Sequence, residues 1–133
     1  MLKKVLFVCV ENACRSQMAE AFARLHGQDC LEVASAGSRP SGKVNEKAIL
    51  SMNAVGYDLS QHVSQAVDDL PATQYDLVVT MGCGDTCPSV AAAQRQDWKI
   101  PDPKDMDRLH FGEVRDMIEQ KVLALLNELN CCK

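Results

Sequence analysis

The sequence lacks a long apolar run, an excess of basic residues and any linker, repeat or low-complexity tract. Its longest apolar runs are far shorter than the roughly 20 residues that a membrane-spanning helix needs, so no membrane segment is predicted. Fourteen basic and eighteen acidic residues give a formal net charge of -4. General nucleic-acid binding requires a basic face, and this balance argues against it. With no boundary along the chain, we expect residues 1–133 to form one domain.

The first residues also lack the features of a signal peptide. Met1-Leu2-Lys3-Lys4 is followed by a strand-length apolar run without a small-residue cleavage site, so we expect a cytoplasmic protein. In that reducing compartment, seven cysteines are more typical of catalysis, redox cycling or metal binding than of structural disulfides. The odd number excludes complete pairing within the chain. Nothing in the sequence demands more than a monomer.

Alternating strand and helix patterns predict an α/β fold with a parallel sheet that is covered on both faces. Strands are predicted near Lys3–Val8, Leu31–Ser35, Leu77–Met81 and Trp98–Ile100, and helices near Ser16–His26, Asn45–Val55, Ser64–Asp69 and Phe111–Leu129. Ligands of open parallel sheets bind beyond the carboxyl ends of the strands. Candidate site residues are therefore those that follow each strand.

The segment Cys9-Val10-Glu11-Asn12-Ala13-Cys14-Arg15-Ser16, called the anion loop below, joins the first strand to the first helix. Free backbone N–H groups and the positive end of the helix macrodipole favour an anion there, together with the thiolate form of Cys9. Arg15 adds a planar guanidinium that suits a tetrahedral oxyanion. Alternatively, Cys9 is a buried strand residue and Arg15 a surface charge. The order of strand, polar turn and amphipathic helix favours an anion site with a thiol nucleophile.

Two further cysteines follow the third predicted strand in Gly82-Cys83-Gly84-Asp85-Thr86-Cys87-Pro88. If the first and third strands are neighbours, Cys9 and Cys83 emerge at the same sheet edge, within disulfide reach after loop adjustment. Cys87 lies one helical turn beyond Cys83, which also permits a disulfide. The alternatives are unrelated loop cysteines or a metal-binding pair, but Cys-x3-Cys alone supplies half a zinc site. We favour a redox interpretation.

Together these features resemble the thioredoxin-coupled arsenate reductases built on the low-molecular-weight protein tyrosine phosphatase fold. The likeness covers nearly the full length, and its motifs fall in family order. They are Cys9 to Ser16, Gln17-Met18-Ala19-Glu20-Ala21, Ser35-Ala36-Gly37, Asn45-Glu46-Lys47-Ala48, Asp76-Leu77-Val78-Val79-Thr80-Met81, Cys83, Cys87-Pro88, Trp98 and Asp102-Pro103. The resemblance implies a single-domain, doubly wound, four-stranded parallel sheet in the order 2-1-3-4.

The resemblance also implies a reaction. Cys9 would attack arsenate, and Asp102 would act as the general acid. Cys83 would then attack Cys9 and release arsenite, and Cys87 would form a disulfide with Cys83. Thioredoxin or glutaredoxin would reduce that disulfide, and no cofactor is needed. The implied substrate-binding residues are Asn12, Ala13, Cys14, Arg15 and Ser16.

The chain departs from the family pattern at several positions. Glu11 stands where Gly is frequent and Ala13 where Ser is frequent, and the short Cys83-to-Cys87 spacing leaves the electron donor open. Some members bind potassium through Asn, Glu, Ser and Asp side chains. Asn12, Glu20 and Ser35 match that set but Gln65 replaces the Asp, so we expect no required metal and a bracing role for Gln65.

Two other functions remain as alternatives. A small tyrosine phosphatase would share the chemistry of Cys9, Arg15 and Asp102, but its aromatic wall after Asp-Pro is replaced here by Lys104-Asp105-Met106. A non-catalytic thiol protein would bind arsenite or another soft metal. We interpret Cys14 as a packing residue, His62 as a possible brace, Trp98 as a core anchor, and Cys30, Cys131 and Cys132 as incidental.

Overall fold

The computed structural model describes residues 3–27, 30–70, 74–81 and 92–129. Four strands in these ranges form one parallel sheet in the order β2-β1-β3-β4, which confirms the predicted fold. The strands are β1 (Lys3–Cys9), β2 (Leu31–Gly37), β3 (Tyr75–Thr80) and β4 (Ala92–Asp97), and the helices are α1 (Arg15–Gly27), α2 (Glu46–Asn53) and α3 (Arg108–Glu128). No helix in these ranges is both long and apolar enough to cross a membrane.

The central strand β1 separates two apolar clusters, because its side chains alternate between the faces of the sheet. Val5 and Phe7 belong to the larger cluster, to which all three helices contribute. Leu6 and Val8 belong to the smaller cluster, against which Leu70 packs. Cys9 ends β1 on the face with the larger cluster, beside the first turn of α1.

Two predicted elements are wrong. The fourth strand is Ala92–Asp97 and not Trp98–Ile100. An edge strand needs little apolar surface, and this one is exposed along most of its length, so no apolar run marks it. Trp98 is nevertheless buried and lies 5.8 Å from Phe7 between ring centroids, as expected of a core anchor.

The predicted helix Ser64–Asp69 is a single 3-10 turn at Val67–Asp69. Ser64 is excluded from it because its hydroxyl donates to the Glu11 carbonyl, and Ala66 forms a bridge with Gly37. The last helix begins at Arg108, three residues before the predicted start, because the Asp107 side chain caps it by accepting from the His110 N–H.

Candidate active site

Cys9 lies at the floor of the anion loop with its sulfur in a hydrogen-bonded chain. Its Sγ is 2.9 Å from the Ser16 hydroxyl, which accepts a 2.7 Å hydrogen bond from the Asn12 amide. Because Ser16 already accepts from Asn12, its own proton is free to donate to the sulfur. A hydroxyl that donates to sulfur stabilises a thiolate more than a thiol. Cys9, Asn12 and Ser16 are all buried.

The carbonyl groups of the anion loop are turned outward. Those of Cys9, Val10, Glu11 and Ala13 accept hydrogen bonds from the N–H groups of Ser38, Arg39, Ser41 and Asn45, respectively, at 2.8 to 3.3 Å. The Asn12 carbonyl accepts from the Gln17 amide. A peptide N–H points opposite to its carbonyl, so this arrangement leaves the loop N–H groups to face inward, as an anion site requires. The supporting segment 38–45 was missed from the sequence, because main-chain hydrogen bonding leaves no side-chain pattern.

Gly37 allows that supporting segment to approach the loop. A Cβ at this position would lie 2.5 Å from the Val10 carbonyl oxygen and 3.0 Å from the Asn12 nitrogen. Both are backbone atoms that cannot swing aside. Asn12 itself has a φ of 51°, a left-handed conformation that Asn tolerates better than most residues. The conformation of the loop therefore depends on Gly at position 37 and on Asn at position 12.

Arg15 and Asp102 complete the walls above Cys9. One Arg15 guanidinium nitrogen donates to the Ile100 carbonyl at 3.1 Å, and another is 3.8 Å from an Asp102 carboxylate oxygen. Arg15 is buried, whereas Asp102 is 55% exposed at its side chain and can exchange protons with solvent. With Cys9 they line a cavity of about 310 Å³, which also includes Ala13 and Cys14. Of the predicted site residues within the described ranges, those that line this cavity are Cys9, Ala13, Cys14, Arg15 and Asp102. Asn12 and Ser16 do not line it and lie fully buried.

Cys14 lies in the same cavity but differs from Cys9 in its surroundings. Burial raises the pKa of the Cys14 thiol to about 12, with smaller contributions from Asp102 and Cys9. Cys14 is therefore a neutral thiol near neutral pH. This agrees with its interpretation as a packing residue.

A salt bridge crosses the rim of this cavity. The Lys104 ammonium lies 3.0 Å from the Glu11 carboxylate, and both side chains are about half exposed. The Lys104 N–H also donates to Asp102 at 3.1 Å. The negative charge of Glu11 at the anion loop is therefore balanced by the positive charge of Lys104. Its partner lies 93 residues away in sequence, so the pair could not be anticipated from the motif.

A buried hydrogen-bond chain supports the loop from behind. The Gln17 amide nitrogen donates to both Asn12 oxygens and to the Val63 carbonyl, and its oxygen lies 2.9 Å from His62 Nδ1. Gln17 can only accept there, so Nδ1 carries the proton and Nε2 accepts from Tyr57 at 2.7 Å. Burial lowers the pKa of His62, which agrees with a neutral ring.

The residues that match the potassium ligands of some relatives are engaged in other interactions. Glu20 pairs with Arg24 at 2.8 Å and accepts from the Ser35 hydroxyl at 2.6 Å. Gln65 donates its amide to the Ser35 carbonyl at 3.0 Å and its backbone N–H to Asn12. A cation would meet a guanidinium and an N–H donor at this position. This donor set does not fit a potassium ion, and Gln65 has the bracing contacts that the sequence suggested.

Cys83 and Cys87 lie outside the described residues, as do Cys131 and Cys132. The described residue nearest to Cys83 in sequence is Met81, whose N–H donates to the Val8 carbonyl at 2.8 Å. The chain therefore leaves β3 immediately beside the strand end that carries Cys9.

Comparison with known proteins identifies the family. Residues 4–132 match the family described as low molecular weight phosphotyrosine protein phosphatase. The chain belongs to this family. Among curated members, it is 36% identical over 132 residues to the glutaredoxin arsenate reductase of Synechocystis sp., covering 97% of this chain and 100% of that protein. It is 40% identical to arsenate reductase 2 of Staphylococcus saprophyticus subsp. saprophyticus, covering 90% of this chain and 93% of that protein.

A solved structure described as an arsenate reductase in the phosphate-binding state is similar throughout. It matches with a TM-score of 0.88 and 37% identity, covering 96% of this chain and 99% of that one. Within this phosphatase family, the chain is therefore similar along its length to proteins named as reductases.

Proposed function

We propose that this member of the family is an arsenate reductase that converts arsenate to arsenite through a cysteine relay. One observation carries the proposal: Cys9, Arg15 and Asp102 line the same cavity. This is the geometry for attack by a thiolate on a tetrahedral oxyanion. The similarity to proteins named as arsenate reductases supports arsenate as the substrate.

The first half of the reaction forms a covalent adduct. Arg15 and the inward N–H groups of the anion loop hold the oxyanion, and the Ser16 hydroxyl donates to the attacking Cys9 sulfur. The sulfur attacks arsenic, an As–O bond breaks, and Asp102 delivers the proton with which that oxygen leaves as water. Arsenic remains in its +5 state, bound to Cys9.

The second half transfers two electrons. The Cys83 thiolate attacks the Cys9 sulfur, the S–As bond breaks, and its electron pair stays on arsenic, which leaves as arsenite. The short path from Met81 to Cys83 supports this step, because two residues span at most about 7 Å. Cys87 then attacks Cys83, which frees Cys9 and leaves a disulfide between Cys83 and Cys87. A cytoplasmic dithiol protein, thioredoxin or glutaredoxin, restores both thiols, and the catalytic unit is a monomer.

Phosphatase activity is the second candidate, since adduct formation on Cys9 with acid catalysis by Asp102 serves phosphate esters equally. Lys104 follows Pro103 where a phosphatase presents an aromatic wall, and it is paired with Glu11. We therefore expect ester hydrolysis to be a minor activity.

The test is a steady-state assay of arsenite formation with thioredoxin and its reductase, or with glutathione and glutaredoxin, as the donor system. Arg15→Lys and Asp102→Asn should each lower kcat/KM by about 100-fold or more, because they remove transition-state donors. Their matched controls are Arg108→Lys and Asp105→Asn, exposed positions of the same chemistry. Cys83→Ser should complete no reductive turnover, whereas Cys30→Ser should behave as wild type. Multiple turnovers by Cys83→Ser would disprove the relay.

A further inference from the structure

Two cavities adjoin at the anion loop and share three wall residues. The cavity above Cys9, of about 310 Å³, and a neighbouring cleft of about 480 Å³ both include Glu11, Ala13 and Lys104. The cleft is otherwise formed by residues 41 and 43–47, at the start of α2. The salt bridge between Glu11 and Lys104 therefore stands at the boundary between the two spaces.

Free oxyanions and oxyanion esters need different amounts of this space. A free oxyanion occupies only the cavity above Cys9, where the inward N–H groups and Arg15 lie. A phosphate or arsenate ester carries an organic group that must extend beyond that cavity, and the cleft adjoins it. The joined side chains of Glu11 and Lys104 stand where such a group would pass.

The segment that carries Lys104 is held in place from both sides. Lys47 of α2 donates its ammonium to the carbonyls of Lys104 and Met106 at 3.3 and 2.9 Å. Arg15 donates to the Ile100 carbonyl at 3.1 Å. These contacts hold the backbone on both sides of Lys104, whose ammonium lies 3.0 Å from the Glu11 carboxylate. The pair is thus a fixed feature of the rim.

We propose that the Glu11–Lys104 salt bridge is a specificity bar, which selects free oxyanions by excluding the organic group of an ester from the cleft. The inference rests on the proposed function, because it takes the cavity above Cys9 as the oxyanion site. Glu11 and Lys104 are specificity-determining residues, and neither takes part in the chemistry on Cys9. Glu11 thereby acquires a role at a position where its charge would otherwise oppose the substrate.

The test measures anion binding at short times, before any hydrolysis of the ester is significant. Inorganic phosphate and phenyl phosphate serve as the probes, and each protects Cys9 from iodoacetamide, an uncharged reagent, with labelling followed on the Cys9 peptide by mass spectrometry. The readout is the ratio of the two protection constants. Removal of Lys104 weakens the binding of both anions, and the ratio cancels that common loss.

Wild type should bind phosphate more tightly than phenyl phosphate. Lys104→Met and Glu11→Gln should each shift the ratio toward phenyl phosphate by about two- to fivefold, the range expected when a half-exposed ion pair is lost. The double variant Glu11→Lys with Lys104→Glu rebuilds the pair in reverse and should return the ratio toward that of wild type. Lys43→Met removes a charge from the same cleft, leaves the bar intact, and should not change the ratio.

The outcomes separate the two proposals. The specificity bar is disproved if the ratio is unchanged in both single variants, or if Lys43→Met shifts it as much as they do. Phosphate protection of Cys9 would still support the oxyanion site in either case. A double variant that behaves like the single variants also overturns the specificity bar. If neither anion protects Cys9 in wild type, the oxyanion site is disproved, and the bar is disproved with it.

Discussion

At the scale of single residues, the Ser16 hydroxyl is the hydrogen-bond partner of the Cys9 sulfur, at 2.9 Å. The Ser16 hydroxyl accepts from Asn12 and still has its own proton available for the Cys9 sulfur. Within the described residues, no hydroxyl donates to the sulfur of Cys14 in the same loop, and burial raises the pKa of this thiol to about 12. Two thiols five residues apart thus have different surroundings, and we expect Cys9 to be the more reactive of the two.

Replacement of Ser16 by Ala should slow the alkylation of Cys9 at neutral pH by about tenfold or more, because a hydrogen bond to a charged group contributes about 1.5 to 3 kcal/mol. The rate is measured by quenched iodoacetamide labelling and mass spectrometry of the Cys9 peptide. Ser60→Ala is the control, since its hydroxyl bonds to Asp58 on the surface. In wild type, the Cys14 peptide should label far more slowly than the Cys9 peptide. Equal rates for wild type and Ser16→Ala would refute the role of the hydroxyl.

At the scale of elements, the first strand, the anion loop and α1 could be predicted from the sequence, because an apolar run, a polar turn and an amphipathic pattern are all local signals. The fourth strand could not, because an exposed edge strand such as Ala92–Asp97 has no apolar pattern. Two contacts could not be predicted because they form only in the tertiary structure. They are the hydrogen bonds of segment 38–45 to the anion loop and the salt bridge of Glu11 with Lys104. Their partners are distant in sequence or are main-chain groups.

Gly37→Ala should lower the free energy of unfolding by about 1 to 3 kcal/mol, because the new methyl group would meet the Val10 carbonyl at 2.5 Å. The backbone shift that relieves this contact should also weaken phosphate protection of Cys9. Gly112→Ala is the matched control in α3, where the nearest atom to a Cβ is 3.8 Å away, and it should raise stability by about 0.5 to 1 kcal/mol. Urea denaturation gives both values. Comparable stability changes in the two variants would contradict the close approach at Gly37.

At the scale of the whole molecule, the stability of the fold should depend on the protonation of His62, which hydrogen-bonds Gln17 behind the anion loop. Burial, the main cause, lowers the His62 pKa below the ordinary 6.5 despite the opposing carboxylate of Glu20. The unfolded chain thus binds this proton more tightly than the folded protein. The contribution of His62 to stability is complete above about pH 6.5 and is lost as the pH falls toward the folded pKa.

The free energy of unfolding of wild type relative to His62→Gln should therefore decrease as the pH is lowered from 7 to 5. Urea denaturation across this range gives the difference, which isolates His62 from other titrating groups. His110→Gln is the control of opposite sign, because Asp107 raises the pKa of His110 and its contribution is lost as the pH rises. A difference between wild type and His62→Gln that is independent of pH would show that the ring does not bind Gln17 in its neutral form.

The central claim concerns the fate of the adduct on Cys9, and a single-turnover experiment tests it most directly. The fully reduced protein is mixed with arsenate in the absence of any donor, and arsenite and free thiols are counted in the same sample. We expect one arsenite for each chain, loss of two thiols, and a disulfide between Cys83 and Cys87 in the peptide map. Retention of all seven thiols with no arsenite formed would contradict reduction and would leave only phosphatase-type chemistry at Cys9.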